Sequence, residues 1–246
     1  IADISTTDHV YRLIETVEEI DVLVNELVRQ PLVCFDLETT GLDEKTAEIV
    51  GMGFSWKPGT ATFVRFPLEY TGCLDRFTPF FDDADITKVG HNLKYDLLVL
   101  RWHGKSVSGT ILDTMIASYL CTPDERRTMD SLSEQLLGYR PVHIEALIGE
   151  KGNEQKTMRD VPKEELCEYG AEDADITLQL WQKLEPMVEE YGQHRVFYEI
   201  ECPLIPVLVE MEHDGIRVDT GALSELSVSL GSEITETATR IEELAG

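Results

Sequence analysis

The sequence predicts an α/β fold in which helices flank a mixed central β-sheet and a helical extension follows at the C-terminal end. Two observations lead to this prediction. Short apolar runs alternate with amphipathic segments over the first half of the chain, whereas helical patterns dominate after Pro123. With 246 residues, of which 42% are hydrophobic and 28% charged, the chain can bury one large core or two modest ones.

The composition argues against several classes of protein. The formal net charge of −26 disfavours a protein that coats nucleic acid through a broad basic surface, so such contacts must be local or bridged by metal ions. Most of the 47 acidic residues are expected to solvate helix faces. The five cysteines are widely spaced and form no C-x-x-C pair, which predicts reduced, mostly buried thiols.

A membrane role is not expected from the sequence. No apolar run approaches the roughly 20 residues that cross a bilayer, and the N-terminus lacks the basic start and apolar core of a signal peptide. We therefore expect a cytoplasmic protein. The chain begins at Ile1 without an initiator methionine and stops at Gly246 inside a helical pattern, so we expect an excised fragment.

The first half of the chain supplies most of the predicted strands. Residues 10–16 predict a short strand, and residues 18–30 predict a helix that a proline ends. Residues 31–43 begin with a run that is apolar on both faces, as in a central strand, with acidic residues near its end. Two further strands, 48–56 and 60–67, are separated by K-P-G and predict a hairpin, which makes the sheet mixed.

The remaining elements are mainly helical. Residues 88–92 predict a short strand end that leads into a helix closed by Gly104. Residues 111–120 are typical of a strand running into a helix, and we expect Asp113 to cap this helix rather than to bind metal. The second half predicts helices over 129–138 and 162–184, an irregular stretch over 149–157, and a polar helix to the end.

Three short segments of the chain each place two metal-binding or hydrogen-bonding side chains on one face. Side chains two apart in a strand share a face, and positions four apart in a helix are stacked. Acids in apolar segments are costly to bury unless they are paired or bind metal, and Mg²⁺ and Mn²⁺ prefer carboxylate and water oxygens. If the three faces converge, they form a site for hard divalent cations. The pairs are Asp36 with Glu38, Asn92 with Asp96, and Tyr169 with Asp173.

The surroundings of these pairs distinguish them from other acids. Asp96 precedes the apolar run L-L-V-L, so its face borders the core. Glu172 and Asp175 lie off the face that Tyr169 and Asp173 share, and we expect both to face solvent.

These motifs and their order resemble the DEDD superfamily of 3′→5′ exonucleases, and the Y-x-x-x-D spacing resembles its tyrosine subclass. The resemblance is closest to the proofreading region of bacterial family A DNA polymerases and runs over nearly the whole chain. The segments that carry it are F-D-L-E-T-T-G-L-D, G-H-N-L-K-Y-D, D-T-M-I-A-S-Y-L, M-D-S-L-S-E, Y-G-A-E-D-A-D-I-T-L-Q-L and C-P-L-I-P-V-L-V-E-M-E-H-D-G-I-R-V-D.

The resemblance implies a ribonuclease H-like fold that binds two divalent cations, Mg²⁺ or Mn²⁺. It implies that Asp36, Glu38 and Asp173 are ligands of the first ion, and that Asp36 bridges to the second. Asp96 would hold the second ion largely through water. Tyr169 would orient the attacking water, because a phenol with a pKa near 10 is a poor base at neutral pH.

The resemblance also implies contacts with the DNA 3′ end. Thr39 and Leu42 would contact the terminal nucleotide, with Leu42 wedging between the last bases, and Asn92 would line the site. Two positions depart from the family pattern, and we interpret both as ordinary drift. His91 stands where better-known members carry glutamine, and Ile144 lies near where they offer a phenylalanine to the terminal base.

One stretch of the chain is cationic, and its role stays open on sequence grounds. It either contacts the phosphate backbone or forms a solvated loop. Its charged residues are Lys151, Lys156, Arg159 and Lys163.

We therefore predict a metal-dependent 3′→5′ exonuclease that proofreads single-stranded or frayed DNA ends. Residues 1–197 would form the exonuclease domain, and residues 198–246 the truncated start of a polymerase domain, whose thumb, palm and fingers are absent. We expect a monomer that does not synthesise DNA. Two alternatives stay open: an exoribonuclease similar to RNase D, and a catalytically silent domain that braces a polymerase.

Overall fold

A six-stranded mixed β-sheet organises the structure, a computed structural model that describes residues 1–66, 72–152 and 155–246. The order across the sheet is β1-β4-β3-β2-β5-β6. β3 pairs antiparallel with both β2 and β4, and the other pairs are parallel. The strands are β1 (Val10–Ile14), β2 (Leu32–Thr39), β3 (Ile49–Lys57), β4 (Thr60–Arg65), β5 (Thr87–Gly90) and β6 (Ile111–Asp113).

The predicted α/β class, the mixed sheet, the hairpin and the central position of the second strand are confirmed. Residue 67 of the second hairpin strand and residues 153–154 of the irregular stretch lie outside the described residues.

Helices follow or precede most strands. They are α1 (Val17–Leu27), α2 (Cys73–Arg76), α3 (Thr78–Phe81), α4 (Leu93–Trp102), α5 (Thr114–Cys121), α6 (Met129–Leu132), α7 (Ile144–Ile148), α8 (Lys163–Glu190), α9 (His194–Val196), α10 (Cys202–Asp214) and α11 (Thr220–Ala245). Two π-helical segments, Ser133–Leu137 and Phe197–Glu201, and a 3₁₀ turn, Met158–Asp160, complete the elements.

Side chains along β2 point alternately to the two faces of the sheet, and this determines which helices they contact. Val33, Phe35 and Leu37 join the apolar cluster that α1, α3 and α4 build on one face of the sheet. Cys34 packs instead in the cluster that contains Trp181 of α8. Because side chains alternate along a strand, the even-numbered positions of β2 point to the face covered by α8.

Glycines allow α8 to lie unusually close to the sheet. A Cβ atom at Gly53 of β3 would lie 2.0 Å from the carbonyl oxygen of Gly170 of α8. A Cβ atom at Gly170 would lie 2.4 Å from the ring of Phe63 and 3.2 Å from Cγ of Glu38. The close approach of helix and sheet therefore depends on the absence of side chains at both glycines.

The chain divides into two units, Ile1–His213 and Asp214–Gly246. The second unit consists mainly of α11, which begins at an N-cap formed by the Asp219 side chain and confirms the predicted polar helix. The predicted domain boundary between residues 197 and 198 stays a prediction. Within the described ranges, no helix has the length and apolar character needed to cross a membrane. All five cysteines are buried free thiols, as predicted.

Candidate active site

Three acidic side chains from two elements converge on the α8 face of the sheet. Asp36 and Glu38 of β2 pair with Gly53 and Gly51 of the neighbouring strand β3, and Gly53 leaves room for the helix. Asp173 of α8 meets them there, and carboxylate oxygens of the three acids lie within 4.8 Å of one another. The strand spacing therefore placed Asp36 and Glu38 on one face, as predicted.

Tyr169 lies one helical turn before Asp173 on α8. The two side chains share a face, and burial, followed by the nearby Asp173 carboxylate, raises the pKa of the Tyr169 hydroxyl. Asp173 is 5% exposed, and Tyr169 is partly buried. A buried hydroxyl thus stands directly beside the carboxylate cluster.

Asp96 of α4 reaches the same strand from another direction. Its Oδ1 atom accepts a hydrogen bond of 3.0 Å from the backbone N–H of Leu37, which lies between Asp36 and Glu38 in the chain. Asp96 is 4% exposed and lies outside the group of three acids within 4.8 Å. Its backbone bond fixes it beside the group without making it part of the tight cluster.

The predicted stacking of Asn92 on Asp96 is wrong. The helix begins at Leu93, and Asn92 is its N-cap with left-handed backbone angles of φ 60° and ψ 42°. Asn92 is exposed, whereas Asp96 is buried. Helical spacing does not hold across such a turn, and asparagine is one of the few residues that adopt it readily.

The surroundings shift these acids toward their neutral forms in the metal-free chain. Burial raises the pKa of Asp36 to about 7. Burial, and then the charge of Asp36, raise the pKa values of Glu38 and Asp96 well above their usual range, and the same causes act on Asp173. Two such charges 4.8 Å apart repel by about 3 kcal/mol at an effective dielectric constant near 20. A cation between them would remove this repulsion.

The donor set fits a divalent cation. The Oε1 atom of Glu38 is buried and has no hydrogen-bond partner among the described residues, and the Glu38 carboxylate lies beside those of Asp36 and Asp173. An unpaired buried carboxylate oxygen is costly, and coordination to a hard cation satisfies it. Oxygen ligands from carboxylates are those that Mg²⁺ and Mn²⁺ prefer.

An ordered loop, residues 40–48, follows the acidic end of β2. The Tyr95 hydroxyl of α4 donates to the carbonyl of Gly41 at 2.6 Å and shares a 2.6 Å hydrogen bond with the hydroxyl of Thr39. Leu42, next in the chain, is 86% exposed. The structure thus holds Thr39 beside the acids and presents Leu42 to the outside.

Asp113 caps two helices. Its Oδ1 atom accepts from the N–H groups of Met115 and Ile116 at the start of α5, which confirms the predicted cap. Its two carboxylate oxygens also accept from the N–H groups of Asn92 and Leu93 at the start of α4. Both carboxylate oxygens of Asp113 thus accept hydrogen bonds from backbone N–H groups at helix starts.

The assignment of Glu172 and Asp175 to solvent is wrong. Glu172 is fully buried, and Asp175 is 2% exposed. Glu172 accepts hydrogen bonds from the Tyr139 hydroxyl and the Val142 N–H. Asp175 accepts from the Tyr11 hydroxyl and from a backbone N–H. The sequence shows that both residues lie on a different helix face from Asp173, but it does not show which segments, distant in the chain, cover that face.

The cationic stretch is partly engaged within the chain. Arg159 forms an ion pair with Glu48 at 3.1 Å, and Lys163 forms one with Glu15 at 2.7 Å. Lys151 and Lys156 are exposed. Contact of this stretch with the phosphate backbone of a nucleic acid therefore stays one of two predictions, beside that of a solvated loop.

The two departures from the family pattern have different surroundings. His91 bonds to the Thr114 hydroxyl through Nδ1 at 2.9 Å, and burial lowers its pKa. Ile144 begins α7 and is 39% exposed.

Sequence reasoning missed the residues that bring the acids together. Gly53 lies opposite Asp36 on the neighbouring strand, and its lack of a side chain admits α8. Gly51 lies opposite Glu38 and leaves room for the ring of Phe63. The signal was the G-M-G spacing inside an apolar strand, which indicates close backbone approach. Tyr95 was missed because its role depends on a loop more than 50 residues away.

Comparisons with known proteins agree with this geometry. A protein family described as 3′-5′ exonuclease matches residues 11–189. DNA polymerase I of Pseudomonas aeruginosa is 36% identical over 242 residues, which cover 92% of this chain and 26% of that protein. The chain spans about a quarter of the length of the curated relatives it matches.

Solved structures show the same fold at lower identity. The polymerase domain of Pol1 from M. smegmatis, in complex with DNA primer-template and dNTP, has a TM-score of 0.75 at 19% identity, covering 92% of this chain and 36% of that one. RNase D of Escherichia coli, an exoribonuclease involved in structured RNA processing, has a TM-score of 0.65 at 21% identity, covering 82% and 51%. The fold is thus that of the ribonuclease H-like exonucleases. The chain belongs to the 3′-5′ exonuclease family of the family A DNA polymerases.

Proposed function

We propose that the chain removes nucleotides from the 3′ end of single-stranded or frayed DNA, as the proofreading part of a DNA polymerase I. The observation that carries this proposal is the cluster formed by Asp36, Glu38 and Asp173, with carboxylate oxygens within 4.8 Å of one another. Hydrolysis of the terminal phosphodiester bond would release nucleoside 5′-monophosphates. Membership of the exonuclease family supports the 3′ to 5′ direction, and the polymerase relatives support DNA as substrate.

The four carboxylates would hold two divalent cations, Mg²⁺ or Mn²⁺. We assign Asp36, Glu38 and Asp173 to the first ion, and Asp36 together with Asp96 to the second, with Asp96 acting largely through water. The ions supply positive charge that stabilises the attacking and leaving oxygens and lowers the pKa of the attacking water. The unpaired Oε1 atom of Glu38 supports this assignment.

The remaining site residues would bind and orient the reactants. Tyr169 keeps its proton and orients the attacking water at the terminal phosphate, since its hydroxyl lies beside Asp173. Thr39 and Leu42 contact the terminal nucleotide, and Leu42 wedges between the last bases, a role that its 86% exposure supports. Asn92 lines the site as an exposed residue before α4.

The net charge of −26 fits a protein that receives its substrate from elsewhere. The relatives are about four times as long, and we propose that the thumb, palm and fingers of the polymerase deliver the single strand. In that arrangement residues 1–197 form the exonuclease domain and residues 198–246 begin the polymerase domain. A monomer and a cytoplasmic location stay predictions.

An exoribonuclease of the RNase D type is the second candidate, and its fold similarity with a TM-score of 0.65 is the observation that favours it. A catalytically silent domain is a weaker candidate. It would have no use for four carboxylates, three of them buried, and Tyr169 in one place, because bringing these acids together lowers stability.

The test compares 3′-single-stranded DNA and RNA oligonucleotides of one sequence, with Mg²⁺ or Mn²⁺. We expect shortening of the DNA from its 3′ end, and we expect EDTA or Asp173→Ala to stop it, with a loss of at least about 1000-fold. Gln182→Ala, on an exposed position of the same helix, is the matched control. Strong preference for RNA would favour the RNase D reading, and undiminished activity of Asp173→Ala would overturn the mechanism.

A further inference from the structure

Two buried acids of α8 take no part in the metal cluster. Each carboxylate oxygen of Glu172 has a hydrogen-bond donor, namely the Tyr139 hydroxyl for Oε1 and the Val142 N–H, at 2.8 Å, for Oε2. Asp175 is satisfied in the same way, because Oδ2 accepts from the Tyr11 hydroxyl at 3.0 Å and Oδ1 from the Gly59 N–H at 2.9 Å. These four oxygens already accept hydrogen bonds within the protein, so we do not assign them to an ion.

The two acids belong to the same helical turn as a metal ligand. Glu172 precedes Asp173 directly, and Asp175 follows it by two residues. Positions three apart in a helix share a face, so Glu172 and Asp175 point to one side while Asp173 points to another. Rotation or sliding of this turn would move Asp173 and strain the hydrogen bonds of both neighbours at once.

The donors come from segments far apart in the chain. Tyr11 belongs to β1, and Gly59 is in the turn between β3 and β4. Tyr139 is held by backbone pairing with the N-terminal segment, where the Ala2 N–H donates to the Gly138 carbonyl at 3.0 Å. The turn of α8 is therefore bonded to the sheet edge on one side and to residues 138–142 on the other.

Such restraint is needed because a metal site must hold its acids close together in the ionised form that binds a cation. Carboxylate oxygens of Asp36, Glu38 and Asp173 lie within 4.8 Å of one another, so repulsion favours rotation of α8 away from β2 once these acids ionise. We propose that Glu172 and Asp175 are positioning residues, whose hydrogen bonds hold the metal-binding turn of α8 in the rotation that keeps Asp173 beside Asp36 and Glu38. This inference rests on the proposed metal site and concerns how that site is preformed.

The test measures Mn²⁺ binding to the whole chain by calorimetry, without substrate. Replacing both tyrosines, Tyr11→Phe with Tyr139→Phe, removes only two hydroxyl groups and should weaken Mn²⁺ binding roughly 10-fold, the lower end of effects at outer-shell partners. The control is Val188→Ala, which opens a cavity on the same helix far from the turn. It should lower the melting temperature and change Mn²⁺ affinity by less than about twofold, since distant sites act independently.

Conservative variants separate hydrogen bonding from charge. In Glu172→Gln and Asp175→Asn the amide oxygen can still accept from a backbone N–H, and the amide nitrogen can donate to the tyrosine hydroxyl. Both variants should therefore bind Mn²⁺ nearly as well as the unchanged chain, whereas Glu172→Ala should not. Loss of affinity in the amide variants equal to that in Glu172→Ala would contradict positioning through these bonds.

The outcomes also distinguish this inference from the proposed function. If the unchanged chain binds no Mn²⁺, the metal site and the inference both fail. If it binds Mn²⁺ but the double tyrosine variant binds equally well, the metal site stands and the positioning role is wrong. The positioning role is also wrong if Val188→Ala weakens binding as much as the tyrosine changes at equal loss of melting temperature.

Discussion

Tyr169 is kept as a neutral phenol by its surroundings. Burial raises its pKa, and the charges of Asp173 and Glu38 raise it further. A neutral phenol donates a hydrogen bond but has no proton-accepting role of consequence near neutral pH. At the scale of a single residue, the structure therefore supports an orienting hydroxyl rather than a general base.

Replacing Tyr169 with phenylalanine should lower the rate about 10- to 100-fold, because a misplaced attacking water reacts slowly. The shape of the pH profile should not change. The rate should climb through neutral pH in both proteins and show no fall near pH 10, since the pKa of Tyr169 lies well above its usual value. Rates measured from pH 6 to 10 check this.

Tyr191→Phe serves as the control, because Tyr191 is 51% exposed at the end of α8. A rise in rate near pH 10 that is present in the unchanged chain and absent in Tyr169→Phe would mean that the phenol acts by losing its proton.

The packing of α8 on β3 determines where Asp173 of α8 meets the acids of the neighbouring strand β2. Gly53 and Gly170 face each other at the contact, and neither has a side chain to hold the backbones apart. A methyl group at this point meets a backbone carbonyl, which cannot rotate away. The distance between Asp173 and the β2 acids thus depends on the close backbone approach that Gly53 and Gly170 allow.

Gly53→Ala should lower the free energy of unfolding by about 1–3 kcal/mol, the usual cost of overpacking. Its Cβ atom would lie 2.0 Å from the Gly170 oxygen, so α8 must shift and Mn²⁺ binding should weaken as well. Urea denaturation measures the first effect, and calorimetry the second. Gly41→Ala is the control, since nothing lies within 4 Å of its added Cβ. Equal stability of the two variants would contradict the role assigned to Gly53.

Most elements could be predicted from the sequence because their signals are local. The run of β2 and its period of two placed Asp36 and Glu38 together, and the spacing on α8 placed Tyr169 with Asp173. Asn92 could not be placed in this way, because a left-handed residue before α4 interrupts the helical spacing. Glu172 was misplaced because Tyr139, which covers it, is 33 residues away.

The whole molecule carries excess negative charge, and its acidic side chains are closest together at a largely buried site. The formal net charge is −26, and four carboxylates lie at the end of the central strand: the buried Glu38, Asp96 and Asp173, and the half-buried Asp36. Burial raises the pKa of each, so the folded chain without metal binds more protons than the unfolded chain between about pH 4 and 7.

The stability of the metal-free protein should therefore fall as the pH rises through this window. For a carboxyl group whose folded pKa is raised, the loss begins near the unfolded pKa and is complete above the folded value. We expect a decrease of roughly 1–4 kcal/mol between pH 5 and pH 8 in EDTA, given about 1.4 kcal/mol per pKa unit. Saturating Mg²⁺ at pH 8 should restore the stability that was lost.

Thermal unfolding at several pH values, with EDTA or Mg²⁺, measures this effect. Asp36→Asn should lose part of the pH dependence, because its amide does not ionise and its charge no longer raises the pKa values of the other three acids. Asp85→Asn, on an exposed turn, should keep all of it. A metal-free protein that becomes more stable from pH 5 to pH 8 would contradict the raised pKa values.

The double cap at Asp113 has a consequence for the order of folding. This carboxylate begins both α4 and α5, and it reaches α4 only when β6 lies beside β5. Asp96, on α4, therefore acquires its final position only after the two strands that flank α4 in the chain have paired. Such non-local pairing is slow compared with helix formation, so the nuclease site is completed late, after the helices themselves can form.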